Sequence, residues 1–175
     1  MILIGLGANL PGTWGTPKET LNKAIGALGQ AGISVVKQSR FLESMPLGRG
    51  GQGVYANGAV QVSSHLPPEA LLQRLHAIEH EAGRRRGVHW RSRELDLDLL
   101  DWHGLVRHVP HLAGMSGPVP LTLPHPGIES RAFVLAPLAS IAPRWHHPLN
   151  GLTALQMLKR LRTSGPGRIL DQLDQ

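Results

Sequence analysis

The sequence predicts an α+β protein: one antiparallel β-sheet with helices on one face, followed by extra helices toward the C-terminus. Two observations predict it. The apolar period switches along the chain between strand-like and helix-like values, in the order β-α-β-β-α-β. Gly and Pro punctuate the changes of period. The chain has 175 residues and no Cys. That length fits a single domain over residues 1–175, with a core that needs no covalent staple.

The elements follow in order. Residues 1–4 are a short apolar run, so Met1 to Ile4 reads as a strand that gives way to a loop at Gly5-Leu6-Gly7-Ala8-Asn9. Thr16 before Pro17 is an N-cap with Pro at the first helical position. Leu21, Ala24, Ile25 and Leu28 then recur at helical spacing until Gly32 stops them. Residues 33–43 read as one strand. Residues 45–53 hold one Pro and four Gly and read as a loop. Residues 55–63 alternate and read as a strand antiparallel to the one before. Pro67-Pro68-Glu69 opens a second helix, with Leu71, Leu75, Ile78 and Ala82 as its apolar stripe and Gly83 as its stop.

Residues 84–93 form a basic loop, 95–100 a strand, and 102–109 a hairpin return. Residues 109–126 carry five Pro and two Gly, which permits only short extended pieces. Residues 130–141 have helical spacing, bent or restarted at Pro137. Residues 152–161 are a last helix, and the tail from Thr163 is expected to fray. The order matches the split βαβ, ferredoxin-like arrangement.

Composition bounds the function. There are 18 Lys and Arg against 12 Asp and Glu, a formal charge of +6 with His neutral. That balance suggests an anionic partner: nucleic acid, a membrane surface or a phosphorylated small molecule. Without Cys, a disulfide scaffold, an iron–sulfur cluster and a Cys-ligated zinc site are excluded. No run approaches the length of a membrane span, and residues 1–10 lack a basic flank, so a strand is expected there rather than a signal peptide. A cytoplasmic protein with no membrane partner is the expectation.

The sharpest local signal is Glu94-Leu95-Asp96-Leu97-Asp98-Leu99-Leu100. Strand alternation puts Asp96 and Asp98 on one face and Leu95, Leu97 and Leu99 on the other. Two carboxylates spaced by about 6.6 Å between Cα atoms repel one another, and a bound cation relieves that repulsion. Hard oxygen ligands on a rigid strand suit Mg²⁺, and such a pair can serve two metal ions. A solvated strand face is the alternative, although Asp is disfavoured in strands.

Just upstream, Arg84, Arg85, Arg86, Arg91 and Arg93 fall within ten residues. Arg grips phosphate oxygens in planar, bidentate fashion. Cations on one side of a phosphate and metal-binding carboxylates on the other make the layout that phosphoryl transfer needs. A solvated basic loop and a nucleic-acid patch are the alternatives. Familiar nucleotide motifs are missing. Leu10 stands where a dinucleotide fingerprint needs its third Gly, and no Gly-Lys-Ser/Thr triplet exists.

Three further features have two readings each. His125 lies between Pro124 and Pro126, either presenting its ring to an anion or serving as a surface loop His. Tyr55 and Asn57 share a strand face, able to stack and hydrogen-bond a planar heterocycle or to sit as ordinary half-buried residues. The pairs His108/His111 and His146/His147 lack a matched third ligand and read as loop residues.

Together these segments resemble the 6-hydroxymethyl-7,8-dihydropterin pyrophosphokinase family of folate biosynthesis. The resemblance runs from Gly5-Leu6-Gly7-Ala8-Asn9-Leu10 to about Pro143. It rests chiefly on Ile78-Glu79 through Gly83-Arg84-Arg85-Arg86, Trp90, Arg93 and Leu95-Asp96-Leu97-Asp98. Pro124-His125-Pro126 through Arg131-Ala132-Phe133-Val134-Leu135-Ala136-Pro137-Leu138 is its second part, with Pro46-Leu47-Gly48 and Tyr55-Ala56-Asn57 in support.

The resemblance implies a ferredoxin-like fold and transfer of the β,γ-diphosphate of ATP to a pterin hydroxymethyl group, releasing AMP. It implies that Asp96 and Asp98 bind two Mg²⁺ ions. It implies triphosphate contacts from Arg84, Arg86, Arg93, Arg131 and His125, with Arg84 and Arg93 catalytic alongside the two Asp, and Trp90 and Arg84 on a closing loop. It implies that Tyr55 and Phe133 sandwich the pterin, Asn57 reads its edge, and backbone at Ser44 and Leu47 touches the ring. Backbone at Leu99 and around Thr122 would hold the adenosine. The implied partners are ATP and the reduced pterin, with no nucleic acid, acting on a monomer. Arg91-Ser92 departs from the Gly-Pro usual in that loop, and His76 stands where some members carry Gln. A non-catalytic RNA-binding module of the same fold is the competing class. Seven aromatics, two Phe, four Trp and one Tyr, leave it few stacking platforms.

Overall fold

The first strand does not stop at Gly5. In the computed structural model, which describes residues 1–46, 53–83, 94–110, 120–161 and 167–173, β1 (Ile2–Ala8) runs through both glycines. It pairs antiparallel with β4 (Tyr55–Ser63) on one side and β5 (Asp96–Trp102) on the other. Helix α1 (Pro17–Gln30) begins as predicted. Thr16 Oγ1 accepts the Glu19 N–H, and Glu19 Oε2 accepts the Thr16 N–H, a complete capping box.

The segment expected as one strand divides into β2 (Ser34–Gln38) and β3 (Phe41–Ser44). Both pair antiparallel with β4, whose nine residues accept the two short partners end to end. The break falls at Ser39. Its N–H donates to the Ala59 carbonyl at 2.9 Å, and its Oγ accepts the Ala59 N–H at 3.0 Å, so the side chain replaces a ladder bond. Phe41 then crosses Gly58 so closely that a Cβ there would lie 2.7 Å from Phe41 Cδ1.

Helix α2 (Pro68–Glu81) follows, and then β5. Residues 102–109 do not return as a hairpin. The chain turns at His103 and Gly104, both at positive φ, and β6 (Arg107–Val109) pairs with β7 (Leu121–Leu123) in a separate ladder. Helix α3 (Ala132–Ile141) continues through Pro137, and α4 (Ala154–Arg160) starts on a second capping box at Thr153 and Gln156. The tail expected to fray instead forms β8 (Ile169–Leu173), antiparallel to β3. The main sheet reads β5-β1-β4-β3-β8, with β2 also on β4.

This is the predicted α+β, antiparallel-sheet architecture, and the helices divide between its two faces. Leu21, Ala24 and Leu28 of α1 and Leu71, Leu75 and Ile78 of α2 bury against Ile2, Ile4, Leu6, Val60, Leu97 and Leu99. The extra C-terminal helices cover the other face. Val134, Leu135 and Leu138 of α3 and Ala154 and Met157 of α4 pack on Leu3, Ala59 and Leu100. They cover only part of it, and the remainder is where the predicted site residues stand. Among the described residues no helix is long and apolar enough to cross a membrane.

Candidate active site

Two residues of the central strand make the site possible. Gly5 and Gly7 are two apart, so they share a sheet face. Gly5 sits between Asp98 of β5 and Ala59 of β4, and Gly7 sits between Asp96 and Asn57. Strand partners on adjacent strands point the same way. The sheet therefore presents a row Asp96–Gly7–Asn57, with carboxylate on one side, amide on the other and no side chain between. A Cβ at Gly7 would lie 3.4 Å from Asn57 Oδ1 and 4.0 Å from Asp96 Cβ. Gly7, read as a loop residue in the sequence, is the floor of the cleft, while Gly5 lies against the buried Leu100 side chain.

The carboxylate pair is placed as predicted. Asp96 and Asp98 share the cleft face, while Leu97 and Leu99 are buried with α1 and α2. Leu99 therefore offers the cleft face only its backbone. At the end of Asp96–Trp102 the alternation breaks. A bulge puts Leu99 opposite Ile4 and Asp101 opposite Leu3, with Leu100 extra. Leu100 and Asp101 both end buried.

One residue needed a role that sequence reasoning did not assign. Glu79 of α2 is 2% exposed, and its Oε1 accepts the Leu97 N–H at 2.8 Å. Leu97 lies on the outer strand, between the two Asp. The carboxylate thus holds the edge of β5 where the cleft carboxylates project. The signal was present: Glu79 stands four residues after Leu75, on the apolar stripe of the helix.

An imidazole and a guanidinium gather beside Asp98. His125 Nε2 lies 3.8 Å from Asp98 Oδ1, and Arg131 Nη1 lies 3.8 Å from Asp98 Oδ2. The His125 N–H donates to the Leu100 carbonyl at 2.9 Å, tying the loop to the strand. His125 Nδ1 accepts the Gly127 N–H at 3.0 Å, so the neutral ring carries its proton on Nε2, toward the carboxylate. The peptide before Pro124 is cis. Gly127 lies beneath the Arg131 guanidinium, where a Cβ would approach Cζ to 2.6 Å.

On the other wall, Asn57 is buried and donates Nδ2 to Ser44 Oγ at 2.9 Å. That bond leaves Oδ1 over Gly7. Tyr55 pairs with Ser44, two residues from Asn57 on the same face, as predicted. Phe133 stands in the first turn of α3, partly buried against the core of that face. Thr122 lies on β7, its Oγ1 2.9 Å from His108 Nδ1, so His108 belongs to a short ladder and not to a loop.

The expectations at Leu47, Arg84, Arg86, Trp90 and Arg93 fall outside the described residues. Both stems of the basic loop are described, and the connection between β1 and α1 touches each. Thr13 Oγ1 donates to the Ala82 carbonyl at 3.4 Å, and Gly12 lies against Glu94. Among the described residues no three His, Cys, Asp or Glu side chains gather as a closed metal cage. The donor set of the cleft is two carboxylates from one strand, which fits Mg²⁺ completed by phosphate oxygens and water.

A model of the 7,8-dihydro-6-hydroxymethylpterin-pyrophosphokinase family matches residues 3–143. The chain is 38% identical over 160 residues to a 2-amino-4-hydroxy-6-hydroxymethyldihydropteridine pyrophosphokinase of Synechocystis, covering 91% of this chain and 75% of that protein. A protein of the same name from Haemophilus influenzae is 36% identical over 140 residues, 79% of each chain. Another, from Methylorubrum extorquens, is 34% identical over 167 residues, 95% of this chain and 96% of that one. The open glycine floor, the carboxylate wall and these similarities agree: the chain belongs to the 7,8-dihydro-6-hydroxymethylpterin-pyrophosphokinase family, and its general activity is that of a pyrophosphokinase acting on a pterin.

Proposed function

We propose that the protein transfers the β,γ-diphosphate of ATP to the hydroxymethyl group of 6-hydroxymethyl-7,8-dihydropterin and releases AMP. The observation that carries this reading is the two-signed cleft: Asp96 and Asp98 across the glycine floor from Asn57, with His125 and Arg131 at Asp98. Asp96 and Asp98 would hold two Mg²⁺ ions, which when bound would supply neutralisation of phosphate charge and a more acidic acceptor hydroxyl. Arg131 and His125 contact the triphosphate and keep the β-phosphorus in line for direct attack. With no Cys in the chain, no covalent thiol intermediate enters.

Asn57 Oδ1 accepts from the edge of the pterin, and Tyr55 and Phe133 stack on its faces. Backbone at Ser44 and Leu47 completes that wall, and backbone at Leu99 and Thr122 holds the adenosine. Arg84, Arg86 and Arg93 add charge to the triphosphate, and the loop bearing Trp90 closes over it to exclude water, the competing acceptor.

The test is a single assay of ATP, Mg²⁺ and the reduced pterin, followed for AMP. Stoichiometric AMP with pterin diphosphate is expected, and release of ADP in its place would overturn the diphosphate transfer. Tyr55→Ala is expected to raise the pterin Kd about tenfold, the scale of one lost aromatic stack with its buried area, and to leave the ATP Kd unchanged. Calorimetric titration of each ligand checks it. Equal losses for both ligands would remove Tyr55 from the pterin wall.

A further inference from the structure

The C-terminal strand pairs with a strand of the cleft. β8 lies beyond residues 3–143, the span that matches the family. It runs antiparallel to β3, which pairs in turn with β4. Residues opposite one another on neighbouring strands share a sheet face. Ser44 lies opposite Tyr55 on one side and Ile169 on the other, and Leu42 lies opposite Asn57 and Gln172. The cleft face therefore runs on from Tyr55 and Asn57, across β3, to Ile169 and Gln172. Ser44, one strand in from this edge, is 1% exposed.

Side chains do little to hold β8. Leu170, Asp171 and Gln172 are exposed, and of the five residues only Leu173 packs against a core. Asp171 stands opposite Glu43, two like charges in register. Backbone bonds hold the strand instead. The Gln172 N–H turns to Asp171 Oδ1 at 2.7 Å, so by the alternation of an antiparallel ladder the donors to β3 are its neighbours, Asp171 among them. Gly167 leads the chain into the strand at φ 75, a left-handed value that Gly adopts freely.

These bonds continue where β4 stops. Tyr55, opposite Ser44, is the first residue of β4. Past Ser44, the Met45 N–H donates to the Arg168 carbonyl at 2.8 Å, and the Gly167 N–H donates to the Pro46 carbonyl at 3.3 Å. Leu47 is the next residue. Ser44 Oγ in turn accepts Asn57 Nδ2 at 2.9 Å, the bond that leaves Asn57 Oδ1 over Gly7. We propose that β8 is a strut of the pterin wall, with Gly167 and Arg168 as its positioning residues. Through them it fixes the backbone of residues 44–46, and so sets the aim of Asn57 and the approach of the chain to Leu47. The proposal rests on the reading that Asn57 and the backbone at Ser44 and Leu47 receive the pterin.

Two variants loosen the strut from different ends. Asp171→Pro removes a donor in the middle of the ladder, a larger effect than the relief of repulsion from Glu43. Gly167→Val places a branched side chain at positive φ, where it is strained. Neither residue belongs to either core, so both variants are expected to fold and to melt close to the unaltered protein.

In the ligand-free protein, hydrogen exchange at the Met45 amide is expected to speed by about tenfold in both, the scale of one backbone hydrogen bond. The Ala59 amide, held by Ser39 Oγ, is expected to keep its rate. Calorimetric titration with the reduced pterin is expected to show binding weaker by about three- to tenfold. Titration with Mg²⁺ and a non-hydrolysable methylene analogue of ATP is expected to show no change. Faster Met45 exchange with unchanged pterin affinity would overturn the strut, as would Met45 exchange unchanged in both variants. Equal losses for pterin and nucleotide would overturn it as well, leaving β8 a strand that only stabilises the sheet. Should the unaltered protein bind the pterin but release no AMP, the diphosphate transfer falls, while Met45 exchange and pterin titration still decide the strut.

Discussion

Asp98→Ala is expected to lower Mg²⁺-dependent AMP release by about a thousandfold or more while the protein stays folded. The scale is that of removing a charge-stabilising group from a phosphoryl-transfer or oxyanion site, 10² to 10⁵ in rate. The fold should survive because Asp98 contributes nothing to either core. Its side chain is 31% exposed, and it stands over Gly5, clear of the leucines of β5 that pack beneath α1 and α2. Pairs at 3.8 Å to His125 and Arg131 are among the contacts truncation removes, repulsion from Asp96 is relieved, and partly exposed pairs of this kind contribute about 1 kcal/mol or less each. Circular dichroism and thermal melting report the fold, and AMP release reports the chemistry. Near-normal AMP from this variant would remove Asp98 from the metal site.

Gly7→Val is expected to abolish pterin binding, by a hundredfold or more, with the melting temperature close to that of the unaltered protein. The reasoning is steric and specific to one row of the sheet. Gly7 lies inside a regular strand and away from positive φ, so a side chain introduces no backbone strain there. Val is also a good strand former. What it cannot avoid is the space between Asp96 and Asn57, where even a Cβ reaches within 3.4 Å of Asn57 Oδ1. Gly7→Ala, which adds only that atom, should lose far less. The graded series, followed by pterin titration and melting, separates a blocked cleft from a damaged sheet. Normal pterin affinity in Gly7→Val would place the ligand elsewhere.

Much of the geometry of the cleft is legible in the sequence. Strand alternation put Asp96 with Asp98 and Tyr55 with Asn57, and in each case the face is the one observed. The N-cap at Thr16 was legible because its chemistry is complete within four residues. What escaped is equally instructive. Gly5 and Gly7 look like a loop because periodicity is read from apolar side chains, and they have none. Residues 33–43 look continuous because the interruption at Ser39 is made by a bond to Ala59, twenty residues away. The tail looked frayed because it is mostly exposed along its length, and what orders it is the backbone of β3.

The sequence by itself determined the order of elements, the faces of the strands and the chemical kinds of group available: two carboxylates, several cations, a few aromatics. These are short-range properties, set by side-chain period and by caps whose partners lie within a turn. Only the tertiary structure decided which groups meet. Glu79 serves the Leu97 N–H across α2 and β5, Asn57 is aimed by Ser44 of a neighbouring strand, and His147 reaches Glu129 from beyond α3. Burying a polar group is tolerable only when a partner arrives from elsewhere in the chain, and no local pattern says which partner will come.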